Sequence, residues 1–135
     1  MSMQTLQQTD EHTVAVDDEH GIPIFTYEAH VSGENLRDIA REWADVALER
    51  GAERYVVNAE AIAAHDDEDK RWLAETWVPN LIENGIRAGA GVYADSAIAK
   101  MDNERIEEQL NAIDPGFEYR IFASEDDALS WLADQ

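Results

Sequence analysis

Residues Ile86 to Ala94 form a nearly uncharged run in a chain whose residues are 30% Asp, Glu, Lys or Arg. Gly89 and Gly91 interrupt it. A stretch with so little polarity can be buried on both faces but cannot supply an outward polar face, which predicts a central strand of a largely parallel sheet covered by helices. The two glycines would let a helix approach closely.

The segments around this run fit that role. Thr13 to Val16 and Ile22 to Tyr27 are short apolar runs separated by the turn-like Asp17-Asp18-Glu19-His20-Gly21, which predicts an antiparallel hairpin with Pro23 at a strand start or an edge. Leu36, Ile39, Ala40, Trp43 and Ala47 follow the spacing of one helix face, with Ser32 as N-cap and Gly51 as the stop. Tyr55-Val56-Val57 predicts a strand. A second helix is expected from near Asp66, burying Leu73, Trp77 and Leu81, with Pro79 kinking or breaking it and Gly85 closing it. A third helical stretch carries Ile98, Met101, Ile106 and Leu110 up to Pro115-Gly116, and Phe117 to Phe122 alternates as a half-buried strand. Ser124 to Asp127 resembles a capping box before a final helix containing Ala128, Leu129, Trp131 and Leu132. The order ββαβαβαβα implies an α/β fold: a mixed, largely parallel sheet of about five strands with helices packed on it and an N-terminal antiparallel hairpin. Residues 1–11 read as a polar tail and residues 12–135 as a single domain.

Charge narrows the partners. The 135 residues carry 30 acidic and 10 basic side chains, a net charge of -20. Nucleic acid and anionic membranes are bound through basic patches, so neither is an expected partner. With 44% hydrophobic residues and four Trp, the chain is not the acidic, aromatic-poor kind that stays disordered. It has no cysteine, which removes disulfides, zinc-thiolate sites and a thiol nucleophile. Met1 to Glu11 lacks a basic region and no stretch approaches the ~18 apolar residues of a span, so neither a membrane segment nor a secretory signal is expected, and a cytoplasmic location is. Only Lys70 and Lys100 are lysines. Acidic side chains at this density repel one another unless salt screens them, which points to a salt-adapted cytosol with counterions from concentrated salt.

Three groups of residues could carry chemistry. His65, Asp66 and Asp69 lie in the densest cluster of possible metal ligands, although the segment does not match the EF-hand pattern and an acidic helix N-terminus accounts for it as well. Ser96, beside Asp95 at an expected helix start, is a possible phosphorylation or anion site, with helix capping as the simpler role. Trp77, Tyr93 and Met101 are the residues expected to line an apolar ligand pocket near the kinked second helix, although core packing is the simpler role for all four tryptophans and Trp72 is the alternative to Trp77 as a pocket residue. Gly89 to Ala94 superficially matches the dinucleotide fingerprint G-x-G-x-x-A, but these glycines fall inside a strand instead of opening a helix. His12, His20, His30 and His65 all fall in polar N-terminal or loop contexts, where a surface imidazole is expected and no Ser-His-Asp triad can be built.

Trp77-Val78-Pro79 with Leu81 and Gly85-Ile86, then Tyr93-Ala94-Asp95-Ser96, Ala99-Lys100-Met101, and Tyr119-Arg120-Ile121-Phe122 leading to Ala128-Leu129-Ser130-Trp131-Leu132, together resemble the SpoIIAA-like family of the STAS superfamily. The resemblance covers roughly residues 53–133. It implies helices packed on a mixed sheet and a small regulatory or binding module. In phosphorylatable STAS domains the switch serine follows the third strand. The matching stretch here, Asn58 to His65, holds no serine or threonine, and Ser96 lies one strand too late to take the role.

The expected function is therefore a non-enzymatic regulatory or protein-interaction module, without cofactor, that binds a protein partner or a second copy of itself. The alternative is a carrier of a small apolar ligand or lipid. A metal-dependent hydrolase built on His65, Asp66 and Asp69 comes third.

Overall fold

The computed structural model describes residues 3–62, 67–93 and 97–135. In chain order the elements are β1 (Met3–Gln8), β2 (His12–Asp17), β3 (Ile22–Tyr27), α1 (Gly33–Glu49), β4 (Arg54–Asn58), α2 (Asp67–Trp72), a π-helical turn (Leu73–Trp77), α3 (Val78–Glu83), β5 (Ala88–Val92), α4 (Ala97–Asn111), β6 (Glu118–Phe122) and α5 (Glu125–Ala133). The fold is α/β, as the element order predicts. Its single sheet runs β1-β2-β3-β4-β5-β6, antiparallel through β3 and parallel from β3 to β6.

That order decides where the helices lie. Parallel crossovers are almost always right-handed, and successive ones that advance in one direction place their helices on the same side of the sheet. Accordingly the buried faces of α1, α3 and α4 share one core with Phe25, Tyr27, Tyr55 and Tyr119 of the sheet. The opposite face of β3–β5 packs Ile22, Ile24, Val56, Ala88, Ala90 and Val92 against Ala128, Leu129 and Leu132 of α5. β5 thus lies between the two cores, as its uncharged sequence requires.

In α1 the predicted stripe is buried, and Trp43 at its centre is fully enclosed. Phe25 stacks on that indole with centroids 5.1 Å apart and Tyr27 leans on it at 4.5 Å. Enclosing an aromatic side chain of this size removes some 150–250 Å² from water, about 4–6 kcal/mol of transfer free energy as an upper value. Gly51 stops the helix with φ +65°, and Gly51 N–H and Ala52 N–H bond back to the Leu48 and Ala47 carbonyls, a Schellman ending. The other end departs from expectation. Ser32 holds the N-cap position but makes no side-chain cap; Asp69, from α2, accepts the Gly33 N–H at 3.0 Å instead.

Three further differences have physical causes. Met3–Gln8, expected as tail, is a sixth strand; it lies at the sheet edge with both faces exposed, so no apolar alternation marks it. Pro79 does not end the second helix. It lies in the first turn of α3, and the wider π turn before it lets the helical path continue past the missing N–H. His12, expected on the surface, is 4% exposed: Trp43 Nε1 donates to its Nδ1 at 3.3 Å and Glu42 faces its Nε2 at 3.4 Å. An indole N–H can only donate, so Nδ1 accepts and a ring proton sits on Nε2, toward Glu42.

Candidate functional site

The face of β5 that meets the three crossover helices is made of Gly89 and Gly91, because Ala88, Ala90 and Val92 point to the α5 side. Side chains from the flanking strands fill the space. Tyr55 of β4 and Tyr119 of β6 are both register partners of Gly89. A Cβ on Gly89 would lie 2.5 Å from the Tyr55 ring, and one on Gly91 would collide with the Tyr119 hydroxyl. The glycines therefore do admit a close neighbour, but it is a pair of tyrosine rings and not a helix. They open no helix either, so the dinucleotide fingerprint has no structural counterpart.

Between these rings and the helices lies a cavity of about 40 Å³. A buried water needs roughly 10–15 Å³ on this scale, so the cavity has room for about three. Its walls include all four tyrosines of the chain, Tyr27, Tyr55, Tyr93 and Tyr119, together with Trp43 and Trp77. Trp77 is fixed on two sides: its Nε1 donates to the Ala40 carbonyl of α1, and its ring meets Tyr55 edge-on at 5.6 Å. Lys70 and Gln109 also line the cavity, and Gln109 is exposed, so the cavity meets solvent beside α4. The Lys70 ammonium lies 3.7 Å from Asp67, a compensated charge.

The hydroxyls here are held neutral. Burial raises the Tyr27 phenol far above its usual range, with lesser contributions from Tyr93 and Asp69. Burial does the same to Tyr55, helped by Tyr93. Tyr119 is raised first by burial, then by Tyr93 and Tyr55, and its hydroxyl is hydrogen-bonded to that of Tyr93. Tyr55 differs from its neighbour in that its Oη is buried with no hydrogen-bond partner among the described residues. An orphaned buried hydroxyl costs about 1–3 kcal/mol by mutational measures, so it calls for a compensating contact.

Of the expected pocket residues, Trp77 and Tyr93 do line this cavity. The Met101 side chain lies outside those described, as do Ser96, His65 and Asp66. Asp69 is buried but committed elsewhere, capping α1 and lying 3.7 Å from the Arg37 guanidinium. Among the described residues no group of three or more His, Asp or Glu side chains could hold a metal ion. Trp72 lies apart from the cavity beneath Arg37 and Arg41, whose guanidinium carbons are 6.0 and 5.4 Å from its ring centre. Sequence reasoning missed Tyr27, Tyr55, Tyr119 and Trp43 as lining residues. A signal was present: a Gly-x-Gly in the uncharged strand β5 with a tyrosine in each flanking strand.

No protein-family model matches the chain, and no curated protein matches it. No helix among the described residues is long and apolar enough to cross a membrane.

Proposed function

We propose that this domain is a non-catalytic binding module whose aromatic cavity takes a small uncharged ligand of about one ring in size, bearing one hydrogen-bonding group. The observation that carries this reading is the unpartnered, buried Tyr55 Oη in a wall of the cavity. The 40 Å³ is well below the ~150 Å³ of an engineered apolar cavity that holds benzene, so a single ring enters only as the walls shift and is the upper size of the occupant. Its charge follows from the walls. A site whose desolvation opposes tyrosine ionisation opposes an ionised ligand for the same reason, and the nearby Lys70 is already beside Asp67. The apolar-carrier reading is thereby narrowed to small rings, since a lipid chain exceeds the space. The SpoIIAA-like resemblance supports a binding role without turnover, and the net charge of -20 supports a cytoplasm rich in salt as its setting.

Benzene, phenol, benzaldehyde and benzoate form the testing panel, read by tryptophan fluorescence and by thermal melting. Phenol and benzaldehyde should bind more tightly than benzene by roughly three- to tenfold, the worth of one neutral hydrogen bond. Benzoate should be excluded. At about a hundredfold its Kd, a binder adds roughly 2.7 kcal/mol of stability. Tyr55→Phe should erase the preference for phenol over benzene while keeping benzene binding. A flat response across the panel, or benzoate binding as well as phenol, overturns the reading.

A further inference from the structure

The two edges of the sheet are built differently. β6 carries the exposed Glu118 and Arg120. Charged side chains of this kind are a usual protection against pairing with a foreign strand. β1, at the other edge, has the sequence Met-Gln-Thr-Leu-Gln-Gln: no charge in six exposed residues, within a chain of net charge -20. Met3 and Leu6 are the exposed large hydrophobic residues among those described, at 44% and 39%. The irregularity between Thr5 and Gln7 leaves Leu6 without a register partner in β2. Among the described residues, no strand lies beside the backbone groups of β1 on the side away from β2.

We infer that β1 pairs antiparallel with β1 of a second copy across a two-fold axis, joining two six-stranded sheets edge to edge. The charge distribution selects this occupant. Two chains of net charge -20 can approach closely only along a stretch free of carboxylates, and a strand paired with itself is self-complementary by symmetry. With the axis beside Leu6, Leu6 faces the second copy's Leu6, Thr5 faces its Gln7 and Gln4 faces its Gln8, so every cross-strand pair is uncharged. Asp10 and Glu11 lie beyond the strand's end. The contact is one strand wide, which places the dimer in the weak class, and repulsion between the remaining surfaces opposes it until salt screens them. Association therefore strengthens with salt, the reverse of a complex held by opposite charges.

Sedimentation of the full chain up to about 1 mM, in about 0.1 M and about 2 M KCl, reads this directly. The average mass should climb toward that of two chains, further in the higher salt. Leu6→Asp and Leu6→Lys should both hold the protein monomeric, because either sign meets its own copy across the axis; docking to an oppositely charged surface would respond to the two in opposite directions. Leu6 is exposed, so neither variant should move the urea midpoint. Because the chain has no cysteine, Leu6→Cys provides a covalent reporter, beside its own copy at the axis, that should form an intermolecular disulfide under mild oxidation, whereas Glu118→Cys on the far edge should not. A monomer at every concentration in both salts, a dimer indifferent to both Leu6 variants, or equal cross-linking through position 118 overturns the inference.

Discussion

Gly89→Ala adds one methyl group on an interior strand of the sheet, and the structure fixes what it meets. The new Cβ would lie 2.5, 2.6 and 2.7 Å from the Cζ, Cε1 and Oη atoms of Tyr55. These atoms cannot swing aside freely, because Tyr55 is fully buried and its ring abuts Trp77 at 5.6 Å. Nor can the backbone retreat, since β5 is hydrogen-bonded to β4 on one side and β6 on the other. Overpacking of this kind costs typically about 1–3 kcal/mol. Against it stands the stiffening of the unfolded chain when glycine becomes alanine, about 0.4–1 kcal/mol in the stabilising direction. The net expectation is a loss of about 1–2 kcal/mol. Urea unfolding followed by tryptophan fluorescence should show a midpoint lower by about 0.5–1 M, given a slope of about 2 kcal/mol/M. In a Tyr55→Leu background the same alanine should cost less than it does alone, because the ring it strikes is gone. An unchanged or raised midpoint for Gly89→Ala, or simple additivity with Tyr55→Leu, refutes the account of the cavity's walls.

Two other expectations concern the same core and its borders. Tyr27, Tyr55 and Tyr119 have phenol pKa values raised in the folded state, so the stability they contribute is fully present below the unfolded value near 10 and is lost as pH rises above it. Each contributes a slope of about 1.4 kcal/mol per pH unit there, so stability should drop by about 4 kcal/mol per unit above pH ~10, with tyrosinate absorbance appearing only together with unfolding; tyrosines that titrate near 10 in the folded protein would contradict this. Asp69→Ala removes the acceptor of the Gly33 N–H and the carboxylate beside Arg37, and should lower stability by about 1–3 kcal/mol in urea unfolding. An unchanged midpoint would mean that solvent caps α1 equally well.

Elements that bury one continuous face announced themselves in the residue order. The α1 stripe from Leu36 to Ala47 and the alternation of Phe117 and Tyr119 with the exposed Glu118 and Arg120 are both reproduced, and Ser124 caps α5 by accepting the Asp127 N–H. What stayed hidden depends on contacts distant in the chain. β1 has no buried face and so no pattern. Asp69 reads as one acid among many until the fold brings it to the start of α1, 36 residues away in sequence. His12 sits in a polar stretch, and only the packing of β2 against α1 encloses it beside Trp43. For the cavity, Trp77 and Tyr93 could be singled out because they lie near the helix expected to kink at Pro79. Tyr27, Tyr55 and Tyr119 come from three strands whose neighbour relations only the sheet order supplies.

Bulk at the middle of this domain is borrowed. The β5 ribbon contributes hydrogen atoms at positions 89 and 91 while its neighbours lean large rings across it. Volume can therefore be traded sideways, a bigger residue in the middle against a smaller one on the flank, without altering chain path or strand order. Within one scaffold, such exchanges could close the chamber into solid packing or enlarge it for a different guest, so the size of what is held would be set by a few paired positions and not by the topology.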